Sequence, residues 1–191
     1  MESSRIEEKS EIHRDNKSRP TMVEKVDLLF KVINRFDFYT NSTNAKTSLI
    51  IAWNSFVFGA VLLKYDDILN LFPLTGCPHY AAVFFTTLIG ICSIISIIFA
   101  FLVIFPFLKS NSTNTSLFFF GSVSRMSVPD YFAKISDASF ETVISDLTDQ
   151  TVTMASGLSN KMTKLQYSIR AIYIGLIVAA GLLALKAIVS F

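Results

Sequence analysis

Histidine and cysteine are scarce in this sequence, and their placement excludes most chemistry. His13 lies in a polar N-terminal stretch and His79 in a short loop between apolar segments, so neither has partners for catalysis or metal binding. Cys77 and Cys92 are too few for a disulfide framework. Glycine-rich phosphate loops, metal-spaced Cys/His clusters and serine-nucleophile motifs are absent. We therefore predict a protein that is not an enzyme, with no catalytic residue, metal or cofactor.

Charge is also scarce. Charged residues make up 17% of the chain, whereas soluble domains carry roughly 25%. Hydrophobic residues make up 51%, and long uncharged blocks alternate with polar ones, which is typical of a membrane protein. A net charge of +2 is too small to indicate a nucleic acid polymer as partner. The first 20 residues contain no apolar run, so no signal peptide is predicted.

Three segments with little or no charge are long enough to cross a membrane. The first, between Lys46 and Lys64, reaches roughly 26 Å as a helix against a hydrocarbon thickness of about 30 Å, and its flanking lysines can snorkel to cover the difference. Pro106 is expected to end or bend the second segment, and Lys186 in the third is expected to snorkel to the far surface. We therefore predict a lipid bilayer as partner and spans at 47–63, 81–108 and 169–191.

Lysine and arginine predict the orientation. Fifteen of the 17 lie before the first span or between the second and third, and the 64–80 loop and the C-terminal tail hold one each. Because cytoplasmic loops carry the excess of positive charge, the N-terminus is predicted to be cytoplasmic and the C-terminus to face outward. This topology is expected for a protein of the inner-membrane type.

Two polar segments have helical periodicity. Val26, Leu29, Ile33 and Phe36 recur at spacings of three and four, which predicts an amphipathic helix starting near Pro20. A second pattern, the seven-residue seam, repeats every seven residues and continues into the third span: Ile144, Thr151, Leu158, Leu165 and Ile172, with Leu147 and Met154 beside it. This is the period of a coiled coil. We predict that the first helix packs on the second to form a cytoplasmic stalk.

The predicted fold is an all-α membrane protein with three transmembrane helices and this cytoplasmic helical stalk. Its segments are a disordered tail at 1–20, an amphipathic helix at 21–46, spans at 47–63, 81–108 and 169–191, an extracytoplasmic loop at 64–80, and a cytoplasmic loop and helix at 109–168.

The cytoplasmic segment contains candidate ligand-binding residues. The polar run from Ser110 to Ser116 precedes Ser122, Arg125, Tyr131 and Lys134. Backbone N–H groups, hydroxyls, a guanidinium and an aromatic ring suit an anionic nucleotide. The alternative is a solvated linker that leads to a helix cap.

Small residues in the spans have two interpretations. Ala171, Gly175 and Ala179 have small-xxx-small spacing, and Thr86, Gly90 and Ser93 form a similar stripe. Such stripes let helices approach closely, either within one chain or between copies. Three spans bury little surface alone, so a homo-oligomer is expected.

Several short motifs extend along the chain: Arg35-Phe36-Asp37-Phe38-Tyr39, Asn44-Ala45-Lys46, Val103-Ile104-Phe105-Pro106, Ser116-Leu117-Phe118-Phe119-Phe120-Gly121, Tyr131, Asp146-Leu147-Thr148-Asp149-Gln150, Lys161, Lys164 and Tyr167. Together they resemble the transmembrane effector domain of Pycsar antiphage systems over roughly residues 23 to 185. One departure from the family pattern is Ser116-Leu117, where a proline is expected beside the Phe-Phe-Gly element.

The resemblance implies a function. In that family a neighbouring cyclase makes a cyclic pyrimidine mononucleotide, cCMP or cUMP, on infection, and the effector impairs the inner membrane so that the infected cell stops growing or dies. The resemblance therefore also implies location in the bacterial inner membrane, with the C-terminus periplasmic. Two other hypotheses stay open: a non-enzymatic membrane scaffold that recruits a cytoplasmic partner, and an effector gated by cyclic oligonucleotides.

Overall fold

The computed structural model describes residues 20–73, 76–105 and 116–190. These residues are 87% helical and contain no strand, which confirms the all-α fold. The predicted disordered tail up to residue 19, the polar run at 110–115 and Pro106 lie outside the described residues.

Six helices occur in the described residues, and three of them are long and apolar enough to cross a membrane, as predicted. In chain order the helices are α1 (Met22–Leu63), α2 (Tyr65–Leu69), α3 (Cys77–Ile104), α4 (Phe120–Val123), α5 (Val128–Asp137) and α6 (Phe140–Val189). The three long helices are α1, α3 and α6.

Helix α1 starts at a reciprocal hydrogen-bonded cap. The backbone N–H and the hydroxyl of Thr21 donate to Glu24 Oε2 at 2.7 and 3.0 Å, and the N–H of Glu24 donates to Thr21 Oγ1 at 3.3 Å. This arrangement is a capping box. The bonds from the Thr21 backbone and then from its hydroxyl lower the pKa of the Glu24 carboxyl. The start of α1 thus depends on the carboxylate form.

The described chain divides into two compact units. The first contains residues up to Asp37 together with 108–156, and the second contains 38–107 together with 157–191. Helices α1 and α6 each contribute residues to both units. In the first unit Leu147, which lies beside the seven-residue seam, is fully buried. Packing along the whole predicted stalk stays a prediction.

In the second unit α3 runs antiparallel to α6. The residue number on α6 falls as the number on α3 rises, through the contacts Phe85–Gly181, Cys92–Gly175, Ser96–Ser168, Phe99–Tyr167 and Leu102–Lys164. Helix α1 also packs on α3, because a Cβ placed on Gly90 would lie 3.9 Å from Val61 Cγ1. The three helices therefore form one bundle.

Polar side chains are buried where these helices meet. Most of them donate to a carbonyl of their own helix four residues earlier, as Thr47 does to Thr43 at 2.8 Å and Asn54 to Ile50 at 2.8 Å. Such self-satisfaction makes a polar residue tolerable in apolar surroundings. The buried set is Thr43, Thr47, Asn54, Thr86, Ser93, Ser96 and Ser168.

The small-xxx-small stripe of the third span faces a crevice within this bundle. Ala171, Gly175 and Ala179 line it together with Asn54 and Cys92, and its volume is about 60 Å³. A Cβ on Gly175 would lie 3.4 Å from Cys92 Cβ. The stripe thus takes part in packing within the chain, and self-association stays a prediction.

The end of the third span contacts the loop that follows the first span. The Lys186 ammonium donates to the Leu71 carbonyl at 2.6 Å and lies 5.8 Å from the centre of the buried Phe72 ring. The sequence suggests that this lysine snorkels toward the membrane surface, and in the structure its ammonium has partners in the protein.

Candidate functional site

The motif loop, residues 116–121 of the first unit, is organised around Ser116. The Ser116 hydroxyl accepts hydrogen bonds from the N–H groups of Phe118 at 3.2 Å and Phe119 at 2.9 Å. A serine hydroxyl that accepts from residues two and three positions later turns the chain and starts a helix, and the short helix α4 begins at Phe120. Ser116 and Leu117 are both buried.

Side chains of two helices hold this loop. Asp146 Oδ2 on α6 accepts from the N–H of Leu117 at 2.6 Å, and the Tyr131 hydroxyl on α5 donates to the Leu117 carbonyl at 3.1 Å. One turn beyond Asp146, Gln150 Nε2 donates to the Ser116 hydroxyl at 3.1 Å. Both backbone polar groups of Leu117 are therefore satisfied by side chains that lie 14 and 29 residues away.

Aromatic contacts complete the loop. Phe118 meets Phe30 of α1 edge to face, with ring centres 5.9 Å apart, a favoured geometry for aromatic pairs. A Cβ on Gly121 would lie 2.6 Å from Phe119 Cε1, so a larger residue there requires the Phe119 ring to move. The loop thus joins segments of α1, α5 and α6 within the first unit.

The departure from the family pattern takes on a physical meaning here. Where a proline is expected, Ser116 supplies the hydroxyl that accepts three hydrogen bonds and Leu117 supplies the N–H that Asp146 accepts. Proline has neither group. The loop of this chain is therefore stabilised by hydrogen bonds that proline at either position cannot supply.

The predicted ligand-binding residues lie in one short stretch. Ser122 is in α4 and its carbonyl accepts the backbone N–H of Arg125 at 3.2 Å, whereas Tyr131 and Lys134 are on α5. The side chains of Arg125 and Lys134 are exposed, and Tyr131 is half-buried with its hydroxyl bound to Leu117. Ligand binding by these four residues stays a prediction.

Three residues that hold the loop were not among the predicted site residues. Ser116, Asp146 and Gln150 belong to motifs that resemble the family, and that resemblance is the signal that marks them. Their roles depend on contacts over 29 and 34 residues. In the described ranges no group of three or more His, Cys, Asp or Glu side chains is placed to hold a metal ion.

These features define the class of the protein: an all-α membrane protein with three helices that can span a bilayer, a hydrogen-bonded motif loop and a bundle with buried polar side chains. A family model described as the Pycsar effector protein domain matches residues 28–188. The chain belongs to this family, the non-enzymatic effector component of an antiphage system. No curated protein and no solved structure matches the chain.

Proposed function

We propose that this chain is an abortive-infection effector that is activated by a cyclic pyrimidine mononucleotide, cCMP or cUMP, and then impairs the integrity of the inner membrane. The observation that carries the proposal is the extent of the family match. It covers residues 28–188, which include the three long apolar helices almost entirely and the whole motif loop. A neighbouring cyclase would supply the nucleotide.

The proposed orientation has the N-terminus in the cytoplasm and the C-terminus in the periplasm. Lysine and arginine support it, because 15 of 17 lie on the two segments assigned to the cytoplasm. The contact of Lys186 with Leu71 agrees with this topology, since it joins the C-terminal end of the third span to the 64–80 loop. Both belong to the periplasmic side in the proposal.

The proposed mechanism is a ligand-dependent shift between two packings. The nucleotide binds the cytoplasmic segment and favours one arrangement of the motif loop with α1 and α6. Because these helices continue into the apolar segments, a change in their packing alters the tilt or rotation of the spans. A ligand shifts such an equilibrium only through different affinities for the two states, and roughly 5 kcal/mol is needed to go from mostly closed to mostly open.

Membrane potential tests this function. Cells that express the full chain and carry a potential-sensitive dye are supplied with cCMP or cUMP and, in a separate arm, with cyclic oligonucleotides; cAMP and linear CMP are the matched controls. We expect depolarisation with a cyclic pyrimidine nucleotide and none with the controls. Depolarisation by cyclic oligonucleotides alone would show that the activating ligand is a cyclic oligonucleotide and not a cyclic pyrimidine mononucleotide. No depolarisation under any cyclic nucleotide would contradict the gating mechanism and favour the scaffold hypothesis.

A further inference from the structure

The second unit carries segregated charge. Asp66 and Asp67 are its only acidic residues, and they lie just beyond the C-terminal end of α1, where Lys64 forms an ion pair with Asp67 at 2.8 Å. Near the other end of the bundle are four basic residues and no carboxylate of this unit. These are Lys46, Lys161, Lys164 and Arg170.

Two of these lysines, Lys161 and Lys164, lie on α6 and reach the other two helices of the bundle. Lys161 Nζ donates to Asn44 Oδ1 of α1 at 3.1 Å, and Lys164 Nζ donates to the Leu102 carbonyl of α3 at 3.4 Å. Leu102 is in the last turn of α3, where carbonyls lack partners within the helix. Both ammonium groups therefore have neutral oxygen partners.

The two ammonium groups can bind an anion in addition to their protein partners. An ammonium group has three N–H donors, and within the described residues Lys161 Nζ and Lys164 Nζ each donate one hydrogen bond. Residues three apart on a helix are neighbours, so the two positive charges repel each other. Burial, and then the charge of Lys164, lowers the pKa of the Lys161 ammonium. An anion between the two lysines would relieve this repulsion and supply acceptors for the remaining donors.

We propose that Lys161 and Lys164 form a binding site for the phosphate group of a phosphate ester, which is either the headgroup of an anionic phospholipid or a soluble phosphate ester. Phosphate suits the pair because its several oxygens can accept from both ammonium groups at once, and lysine binds phosphate as a point charge. The surroundings fit a membrane boundary: Tyr167, one turn along α6, packs on Phe99 at 5.3 Å and lies under the Arg170 guanidinium at 5.7 Å.

The site has a consequence for the bundle. An anion that takes donors from Lys161 and Lys164 competes with Asn44 and Leu102 for the same ammonium groups, and so changes the polar links of α6 to α1 and α3. This coupling rests on the proposed gating function. The binding itself does not, since it depends only on charge and geometry within the second unit.

Binding by purified full-length protein tests the site. Short-chain phosphatidylglycerol is titrated into protein in zwitterionic detergent and bound lipid is counted by native mass spectrometry, while inorganic phosphate and cCMP are titrated by calorimetry. The Lys161→Gln/Lys164→Gln variant is expected to bind at least one of these probes about tenfold or more weakly, a loss of about 1.4 kcal/mol. The matched control is Lys46→Gln/Arg170→Gln, which removes the same charge from the same end.

The outcomes separate the sources. Loss of phosphatidylglycerol alone identifies a lipid site, and loss of phosphate or cCMP identifies a soluble ester. Equal losses in the two double variants mean diffuse attraction and overturn the site, as does unchanged binding of every probe. Lys161→Arg/Lys164→Arg retains both charges and should bind within about threefold of the native protein; helix content by circular dichroism checks folding. If the native protein depolarises cells but binds none of the phosphate probes, only this site is overturned. If it binds a phosphate probe but does not depolarise cells, only the gating function is overturned.

Discussion

The hydroxyl oxygens of Ser96 on α3 and Ser168 on α6 lie 2.9 Å apart in the buried interior of the second unit. Each hydroxyl is also close to the backbone carbonyl of the other residue, at 3.1 Å from Ser96 and 2.9 Å from Ser168. A hydroxyl has a single proton to donate. The two hydroxyls can therefore make at most two of these three hydrogen bonds at any one time. The pair therefore joins two helices by hydrogen bonds, whereas most other buried hydroxyls of the bundle donate to a backbone carbonyl of their own helix.

Replacing Ser168 by alanine should destabilise the bundle by about 0.5–1.5 kcal/mol, because interhelical hydrogen bonds in membranes are worth this much. Stability is measured by reversible unfolding in mixed micelles. Ser93→Ala is the matched control, since its buried hydroxyl donates to the Ile89 carbonyl of its own helix at 3.1 Å. The double variant Ser96→Ala/Ser168→Ala should lose much less than the sum of the single variants. Additive losses would show that the two hydroxyls do not act together.

Replacing Asp146 by alanine should loosen the motif loop. The buried N–H of Leu117 loses its 2.6 Å acceptor, and such a loss costs about 1 kcal/mol or more. Hydrogen exchange of the peptides that cover 116–121 should accelerate by about fivefold. Asp149→Ala removes an exposed carboxylate three residues further along α6 and should leave exchange unchanged. An equal effect of both substitutions would point to the charge of α6 and not to the Leu117 contact.

Tyr131 is expected to stabilise the motif loop, whereas the exposed Arg125 and Lys134 are expected to have little effect on stability. Tyr131→Phe removes the hydroxyl that binds the Leu117 carbonyl and should lower stability by about 1 kcal/mol. Arg125→Gln and Lys134→Gln alter exposed side chains and should leave the melting temperature within about 1 °C. If Arg125 and Lys134 bind the nucleotide, the two variants should lose the depolarisation by cCMP in the membrane-potential assay. A full response in both variants would remove them from the ligand site.

The cap of α1 should depend on pH. Hydrogen bonds from Thr21 lower the pKa of the Glu24 carboxyl, so the folded cap is favoured above the ordinary pKa of 4.5 and this contribution is lost as pH falls through the lowered value. Hydrogen-exchange protection of residues 24–27, corrected for the intrinsic rate, should therefore decrease on acidification below that range. Thr21→Val removes the hydroxyl and should reduce the decrease. Protection that falls identically in both proteins would exclude the capping box as the cause.

The sequence predicts the helical and membrane-spanning segments of this fold better than the contacts between them. The apolar blocks between Lys46 and Lys64 and after Arg170 are visible in the sequence because charge is so costly within a membrane. The sequence also predicts a helix start near Pro20, where the apolar periodicity begins, and the structure adds the capping box of Thr21 and Glu24. Both features depend on local chemistry.

The candidate site was only partly predictable. The sequence predicts Tyr131 as a ligand-binding residue; the structure adds that its hydroxyl donates to the Leu117 carbonyl, and ligand binding by Tyr131 stays a prediction. The acceptor role of Asp146 depends on which carboxylate of α6 reaches a backbone N–H 29 residues earlier, and periodicity cannot separate it from the exposed Asp149. The partners of Lys161 likewise lie on α1, 117 residues away. Such pairs arise only when the helices pack.

The contact between Lys186 and Leu71 also bears on how the protein responds to bilayers of different thickness. A snorkelling lysine follows the headgroups as the hydrocarbon layer thickens or thins. The Lys186 ammonium is bound to a backbone carbonyl and lies over an aromatic ring of its own chain. The position of Lys186 at the end of the third span is therefore set by contacts within the protein, so we expect hydrophobic mismatch to be met by tilting the bundle or by deforming the lipid.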